Sequence, residues 1–388
     1  MQKSSALTRR GFLGALGVAS IGPGIKLSAG VSPGLRFSEA KETEPAVLQL
    51  HRNESPYGLP PSSIRAIHEL AESKSPRYPM EESSALAEVI AKRLGVAKEQ
   101  VLLGCGSVEI LKMATETFCS PSGAAIIAEP TFEAVAAYCP LAHARSVKIA
   151  LTPDYKHDLP KMLYAATLVG GLIYLCNPSN PAGTFVHKQE VEKFVRSIPS
   201  GVILLVDEAY YDYADTPEYE SCLRYVKEGL PILVSRTFSK VYGMAGLRIG
   251  FGVGHKDLIK RMSERRLAPN PNQLAIAAAL SALNEDDFRT RVRTLNVQVR
   301  NNLCDELRTM GLGFIPSQAN FLMIDLGRPA QPVIDALKER RVLVGRMFSS
   351  LPHHIRVTLG SENEMKLFMK EFREVLNSHP VSNTFPGD

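Results

Sequence analysis

Lys240 lies in a stretch of hydroxyl and glycine residues that suits covalent chemistry. The apolar run 231–234 predicts a short buried strand, and Thr237, Ser239 and Arg248 accompany the lysine in the chain that follows. A lysine in an apolar setting can lose its proton and form a Schiff base with an aldehyde. Hydroxyls and a guanidinium beside it suit a phosphate dianion. An aldehyde and a phosphate together indicate pyridoxal 5′-phosphate as the cofactor.

Three more polar side chains follow predicted strands. The apolar run 202–206 predicts a buried strand with Asp207 at its carboxyl end and Tyr210 just beyond it, and a strand at 172–176 leads into a proline-rich turn containing Asn180. Ligands bind at the carboxyl ends of strands in open α/β sheets. A carboxylate there can pair with a protonated pyridine nitrogen, and the tyrosine can hydrogen-bond the ring's 3-oxygen. A mere surface loop around Lys240 does not account for these motifs.

The chain resembles the fold-type I pyridoxal-phosphate aminotransferases of class I/II, and within them the histidinol-phosphate aminotransferase branch, from about residue 48 to about residue 376. This resemblance implies an α/β fold with a large domain, built on a mostly parallel seven-stranded sheet, and a smaller α+β domain. The motifs that carry it are Asn53–Gly58, Arg77–Pro79, the glycine turn at 104–106, Asn180–Gly183, Asp207–Tyr210, Thr237–Lys240, Ala245–Arg248 and Ile355–Val357.

The resemblance also implies roles for individual residues. Lys240, Asp207 and Tyr210 are the expected catalytic residues. Phe132 is expected to stack on the pyridine ring, with a core aromatic as the alternative, and Arg356 to clamp a substrate carboxylate, with an internal salt bridge as the alternative. The other expected contacts are Gly106, Ser107, Val108, Asn180, Thr237, Ser239, Arg248 and Tyr78 for the cofactor, and Tyr57, Asn180 and Arg346 for the substrate.

Tyr78 is expected to reach the phosphate bound by a neighbouring subunit, or to pack at the interface, and both alternatives imply a homodimer. The glycine turn departs from the relatives' pattern, because Cys105 and Val108 stand where asparagine and aspartate are usual. The six cysteines are widely spaced without a C-x-x-C pair, so we expect neither a disulfide framework nor a metal site.

The first 29 residues differ in charge from the rest of the chain. They carry four basic residues and no acid, so the remainder has a net charge of +1 and no basic field for nucleic acid. The paired Arg9 and Arg10, followed by a short apolar run, resemble a twin-arginine export signal. This predicts use of the twin-arginine translocase and a periplasmic or otherwise exported enzyme. A disordered basic tail is the alternative, and the enzyme would then be cytoplasmic.

These observations predict five segments. They are a signal peptide at 1–29, a linker at 30–47, an N-terminal part of the small domain at 48–74, a large cofactor-binding domain at 75–283 and a C-terminal small domain at 284–380.

The expected reaction is transfer of an amino group from an α-amino acid, or from a histidinol-phosphate-like amine, to a 2-oxo acid. A decarboxylase or lyase of the same fold remains an alternative, as does a non-catalytic cofactor-binding protein. We expect a free α-amino acid as donor, because Gly345 disturbs the match to the phosphate-reading segment around Arg346 and because export separates the enzyme from histidine synthesis.

Overall fold

Apolar runs in the middle of the chain form a seven-stranded sheet in the computed structural model, which describes residues 47–119 and 123–378. The strand order is β2-β8-β7-β6-β5-β3-β4, and β8 alone runs antiparallel to its neighbours in this sheet. The strands are β1 Leu48–Leu50, β2 Val101–Gly104, β3 Ala124–Glu129, β4 Arg145–Ala150, β5 Gly171–Cys176, β6 Ile203–Asp207, β7 Ile232–Thr237, β8 Gly250–Gly254, β9 Gly313–Ile315, β10 Phe321–Asp325, β11 Val342–Val344 and β12 His354–Thr358.

Helices cover the sheet and build the rest of the described chain. Long β-branched and leucine-rich strands buried on both faces are typical of such covered parallel sheets. The helices are α1 Pro61–Ser73, α2 Met80–Leu94, α3 Ser107–Phe118, α4 Ala134–Tyr138, α5 Leu159–Val169, α6 Lys188–Arg196, α7 Leu223–Lys227, α8 Lys256–Ser263, α9 Gln273–Ala282, α10 Asp286–Thr309, α11 Ala330–Glu339 and α12 Glu362–Ser378.

The carboxyl ends of three parallel strands lie side by side. In the register of the sheet, Cys176 of β5 pairs with Asp207 of β6, and Asp207 pairs with Ser235 of β7. The loops that leave these strands therefore start at the same edge. This edge is where open α/β sheets bind ligands.

Strand β8 is glycine-rich and was not predicted as a strand. A Cβ at Gly250 would lie 2.5 Å from the backbone nitrogen of Ser107, and a Cβ at Gly252 would lie 2.7 Å from Ile110. Glycine at these positions lets helix α3 press directly on the sheet. The N-terminus of α3 is thereby held against the strands that carry the predicted site.

A second core lies under the C-terminal helices. Strands β12, β10 and β9 form an antiparallel sheet, and β1 pairs in parallel with β11. This confirms the predicted architecture of a mostly parallel large sheet with a smaller α+β part. The domain boundaries stay predictions, and we note that α1 packs against α9 rather than against the small sheets.

The predicted strands at 172–176, 202–206 and 231–234 agree closely with β5, β6 and β7, with differences at the ends. Helix α2 is ended by Gly95, which adopts a left-handed conformation, as its lack of a Cβ allows. No helix among the described residues is long and apolar enough to cross a membrane. The predicted signal peptide and nearly all of the predicted linker lie outside the described residues.

Candidate active site

A cavity of about 590 Å³ opens at the carboxyl ends of the parallel strands. Its floor comes from the loops after β5, β6 and β7, and the segment 51–54 closes one side. The predicted site residues that line it are Ser107, Val108, Phe132, Asn180, Asp207, Tyr210, Thr237, Ser239, Lys240, Arg248, Arg346 and Arg356.

Lys240 follows β7 and reaches across the cavity to the N-terminal segment. Its Nζ donates hydrogen bonds to the carbonyl oxygens of Asn53 at 2.9 Å and Arg52 at 3.3 Å. Burial, together with the positive charge of Arg356, lowers the pKa of the ammonium group to about 8, while the carboxylates of Glu54 and Asp207 oppose the shift. Roughly a tenth of the amine is therefore neutral and nucleophilic at pH 7, far more than for an ordinary lysine.

Asp207 is buried at the end of β6, with only 2% of its surface exposed. Its carboxylate accepts hydrogen bonds from the Tyr174 hydroxyl at 3.0 Å and from the Ala209 N–H at 3.2 Å. Burial raises the pKa of this carboxyl group to about 6, although both hydrogen bonds pull it down. A buried carboxylate with so few partners would gain from a cationic N–H donor in the cavity.

Tyr210, Asn180 and Arg356 form one hydrogen-bonded group. The Nδ2 of Asn180 lies 3.5 Å from the Tyr210 hydroxyl, and Nη1 of Arg356 donates to Oδ1 of Asn180 at 2.6 Å. Burial raises the pKa of Tyr210, so its hydroxyl keeps its proton and remains a donor. The group places a phenol, an amide and a guanidinium on one side of the cavity.

Donors converge at the other end of the cavity, where α3 begins. Arg248 lies in a left-handed conformation, and its Nη1 is 3.3 Å from the Ser239 hydroxyl. Gly106 also has a positive φ, and a Cβ there would lie only 2.3 Å from Nη2 of Arg248. The free N–H groups at the start of α3, beginning with Ser107, add a positive dipole end. This arrangement suits a phosphate dianion.

The two ends of the cavity together fit pyridoxal 5′-phosphate. The donor cluster around Arg248 suits its phosphate, the buried carboxylate of Asp207 suits a protonated ring nitrogen, and Lys240 suits its aldehyde. Arg356 supplies a further sign of ligand binding, because its buried Nε has no hydrogen-bond partner among the described residues. Among those residues, no group of three or more metal-ligating side chains could hold a metal ion.

Arg346 lies at the mouth of the cavity, where its side chain is largely exposed. Its Nη2 forms an ion pair with Oε1 of Glu133 at 2.5 Å, and its guanidinium lies over the ring of Phe348. The preceding Gly345 allows this path, because a Cβ there would lie 2.9 Å from the carbonyl oxygen of Arg356. The glycine thus packs the chain against the buried arginine.

Three predicted site residues do not line the cavity. Gly106 lies directly behind it and shapes the turn under Arg248. Tyr57 is partly buried against the large core, and Tyr78 has 78% of its surface exposed in the single chain. The roles assigned to Tyr57 and Tyr78 stay predictions.

Among the polar residues that sequence reasoning missed, two have side chains that bond the expected catalytic groups directly. Tyr174 was counted only as part of a strand, although its hydroxyl bonds Asp207. Asn53 was noted only as part of a motif, although it contacts both Lys240 and Tyr210. A tyrosine in an otherwise apolar strand was the only signal for the first, and the sequence carried no signal of contact for the second, which lies 157 residues from Tyr210.

The comparisons with known proteins agree with this geometry. The family model described as aminotransferase class I and II matches residues 45–372. Histidinol-phosphate aminotransferase from Moorella thermoacetica is 34% identical over 333 residues, covering 85% of this chain and 86% of the relative. Histidinol-phosphate aminotransferase 2 from Pseudomonas fluorescens (strain Pf-5) is 35% identical over 360 residues, covering 91% and 96%.

A crystal structure of histidinol-phosphate aminotransferase from Sinorhizobium meliloti in complex with pyridoxal 5′-phosphate superposes with a TM-score of 0.81. It is 23% identical, and the match covers 91% of this chain and 100% of that chain. The chain belongs to the class I and II aminotransferase family, and it is a pyridoxal-phosphate-dependent transaminase.

Each polar residue of the cavity suits a different step of transamination. When bound, pyridoxal 5′-phosphate supplies an aldehyde and an electron-withdrawing ring. With the cofactor bound, Asp207 would accept a hydrogen bond from the protonated ring nitrogen, and Tyr210 would donate one to the 3-oxygen. Lys240 Nζ, as a neutral amine, would be suited to move the proton of the substrate's α-carbon.

The lowered pKa of Lys240 leads to a measurable pH dependence. In cofactor-free protein, we expect acylation of Lys240, followed by peptide mass spectrometry, to rise with a midpoint near pH 8, well below the 10.5 of an ordinary lysine. Replacing Arg356 with glutamine removes a nearby positive charge, so the midpoint should move upward. Acylation of the exposed Lys338 serves as an internal control for the reagent. A Lys240 midpoint near 10.5 in wild-type protein would contradict the assignment.

Proposed function

We propose that the amino donor is a free α-amino acid whose carboxylate binds Arg356. The observation that supports this is the environment of the guanidinium. It donates to Asn180 Oδ1 at 2.6 Å and to the His51 carbonyl at 3.0 Å, while its Nε has no partner. No carboxylate among the described residues forms an ion pair with it. Burying an unpaired charge is costly, so this guanidinium is suited to an anionic group of the substrate.

Histidinol phosphate is the second candidate donor, because the relatives described above are named for it. It has no α-carboxylate, so its phosphate would have to engage the arginines. Arg346 lines the cavity mouth, as does the exposed Arg52, but the ion pair of Arg346 with Glu133 would first have to open. We favour the α-amino acid because Arg356 needs no such rearrangement.

A donor screen tests this proposal. We expect turnover of at least one free α-amino acid with 2-oxoglutarate to exceed that of histidinol phosphate. Replacing Arg356 with alanine should lower kcat/KM for that donor by about ten- to a hundredfold, since a hydrogen bond to a charged partner contributes roughly 1.5–3 kcal/mol.

Arg346→Ala is the matched control, because Arg346 already has a carboxylate partner, and it should change that kcat/KM less than Arg356→Ala. Faster turnover of histidinol phosphate than of every free amino acid would refute the proposal. Analysis of the products also separates amino transfer from decarboxylation, which releases carbon dioxide.

We also propose that the enzyme acts as a homodimer, with Tyr78 of each chain completing the phosphate site of the other. Large apolar side chains are exposed around the start of α2 and before α9, namely Tyr78, Met80 and Leu267. Exposed apolar groups of this size favour an interface. These helices adjoin one another, since Gln273 of α9 lies 3.3 Å from Glu82 of α2.

Light scattering should therefore give a mass of two chains. Tyr78→Ala should weaken cofactor affinity, measured by equilibrium dialysis, whereas alanine at Tyr164, a similarly exposed tyrosine on α5, should not. A monomer that binds the cofactor with unchanged affinity in the Tyr78 variant would contradict this proposal.

We further propose export through the twin-arginine translocase to the periplasm. The support is the Arg9-Arg10 pair with its short apolar run, within the part of the chain that the structure does not describe. Replacing both arginines with lysine should keep the precursor in the cytoplasm, as fractionation and immunoblotting would show. Equal periplasmic recovery of wild-type protein and the double-lysine variant would contradict the proposal.

A further inference from the structure

Asn53 contacts two of the expected catalytic side chains, and none of the roles described above accounts for these contacts. It is 98% buried and lies in the left-handed region with φ of 55°, which is uncommon for a residue with a side chain. Its backbone and side chain contact two groups of the reaction, Lys240 and Tyr210, and two residues of the small sheet region, Asn320 and Thr358.

Lys240 Nζ donates two hydrogen bonds, and the one to the carbonyl oxygen of Asn53 is the shorter, at 2.9 Å. Nδ2 of Asn320 also donates to this carbonyl at 3.1 Å, which fixes its direction. Two residues earlier in the chain, the carbonyl oxygen of His51 accepts a hydrogen bond from Nη2 of Arg356 at 3.0 Å. One short segment thus offers carbonyl dipoles to both buried cations, which partly replaces the water that burial removes.

The side-chain amide of Asn53 is hydrogen-bonded at both ends. The Thr358 hydroxyl accepts from the Asn53 N–H at 2.9 Å and donates to Oδ1 of Asn53 at 3.2 Å. With Oδ1 facing that hydroxyl, Nδ2 must face Tyr210, and it donates to the phenolic oxygen at 3.0 Å. The hydrogen bond from Thr358 thus holds the acceptor end of the amide and leaves the donor end against the tyrosine.

This orientation has a consequence for the proton of Tyr210. A phenolic oxygen has one O–H donor and can accept further hydrogen bonds. Asn53 supplies one donor to it, and Asn180 a second, longer contact at 3.5 Å. Because the two amide groups occupy the acceptor positions of the phenolic oxygen, the O–H of Tyr210 is directed into the cavity. The hydroxyl is then held as a donor toward a ligand oxygen.

We propose that Asn53 is a positioning residue for both Lys240 and Tyr210. Its left-handed backbone aims a carbonyl at the free amine of Lys240, and its amide orients the hydroxyl of Tyr210 as a donor into the site. Because Thr358 belongs to β12 and Lys240 follows β7, the same residue ties the catalytic groups to the small sheet. This role does not depend on which amino donor the enzyme uses.

Three variants of Asn53 separate the two parts of this role. Aspartate has the same shape but places an acceptor where Nδ2 stood, so the Tyr210 O–H should turn toward it and away from the cavity. Glycine removes the amide and keeps the left-handed backbone at little cost. Alanine also removes the amide but disfavours the left-handed backbone, because its Cβ crowds the following carbonyl oxygen.

The first readout is the pH midpoint of the absorbance change of the lysine-bound cofactor. A tyrosine that donates to the 3-oxygen stabilises its ionised form and keeps this midpoint low. Asn53→Asp should raise the midpoint by about one pH unit, a tenfold shift in the equilibrium. If that variant does not fold, Thr358→Val should raise it in the same direction, because the amide then loses its orienting partner. An unchanged midpoint in the folded variant would overturn the role toward Tyr210.

The second readout uses cofactor-free protein and the pH midpoint of Lys240 acylation. Asn53→Gly should keep the wild-type midpoint, whereas Asn53→Ala should lower it, because the ammonium loses part of its carbonyl support. Equal midpoints in these two variants would overturn the role toward Lys240. Asn296→Asp is the matched control, since Asn296 is equally buried and its Nδ2 bonds the Ala319 carbonyl outside the cavity. A shift of either midpoint in this control as large as in the Asn53 variants would indicate a general structural effect and overturn the proposal.

Discussion

The parallel register of β5, β6 and β7 is the constraint on which the site depends. It brings Cys176, Asp207 and Ser235 to the same level of the sheet, so the three loops that follow must share one cavity. A slip of one residue in β6 would turn the carboxylate of Asp207 to the opposite face. The apolar strand interiors, which are buried on both sides, fix that register through packing and not through the polar residues themselves.

Burial then sets the chemistry at this edge. The same removal of water raises the pKa of Asp207 to about 6 and lowers that of Lys240 to about 8, so the two groups approach each other in proton affinity. Near neutral pH the carboxyl group is mostly ionised while an appreciable fraction of the amine is neutral. A carboxylate that can hold a ring nitrogen protonated and an amine that can move a proton thus coexist in one cavity.

The sequence was sufficient for the central strands β5, β6 and β7 and for the residues that follow their carboxyl ends. Asp207, Asn180 and Lys240 were predictable because each follows an apolar run, and the position of a strand end fixes where the next side chains lie. Strand β8 was missed because its glycines look like a loop, and their reason is the close approach of α3. The ion pair between Arg346 and Glu133 could not be predicted from the sequence, because Glu133 lies on a separate loop and no local pattern joins the two residues.

The contacts of Asn53 show why the complete site could not be predicted from local sequence and why cofactor binding depends on global folding. Its contacts with Tyr210 and Thr358 span 157 and 305 residues, so they exist only when both ends of the described chain have met. Nearby, a Cβ at Gly243 would lie 2.0 Å from the Gly58 carbonyl, so the N-terminal segment is pressed against the loop that follows Lys240. No local fragment can therefore form the complete cofactor site, and the cofactor must bind after, or together with, global folding. A cofactor that binds only the folded chain stabilises it by mass action. Loading before translocation would then suit the proposed export route, which moves proteins already folded.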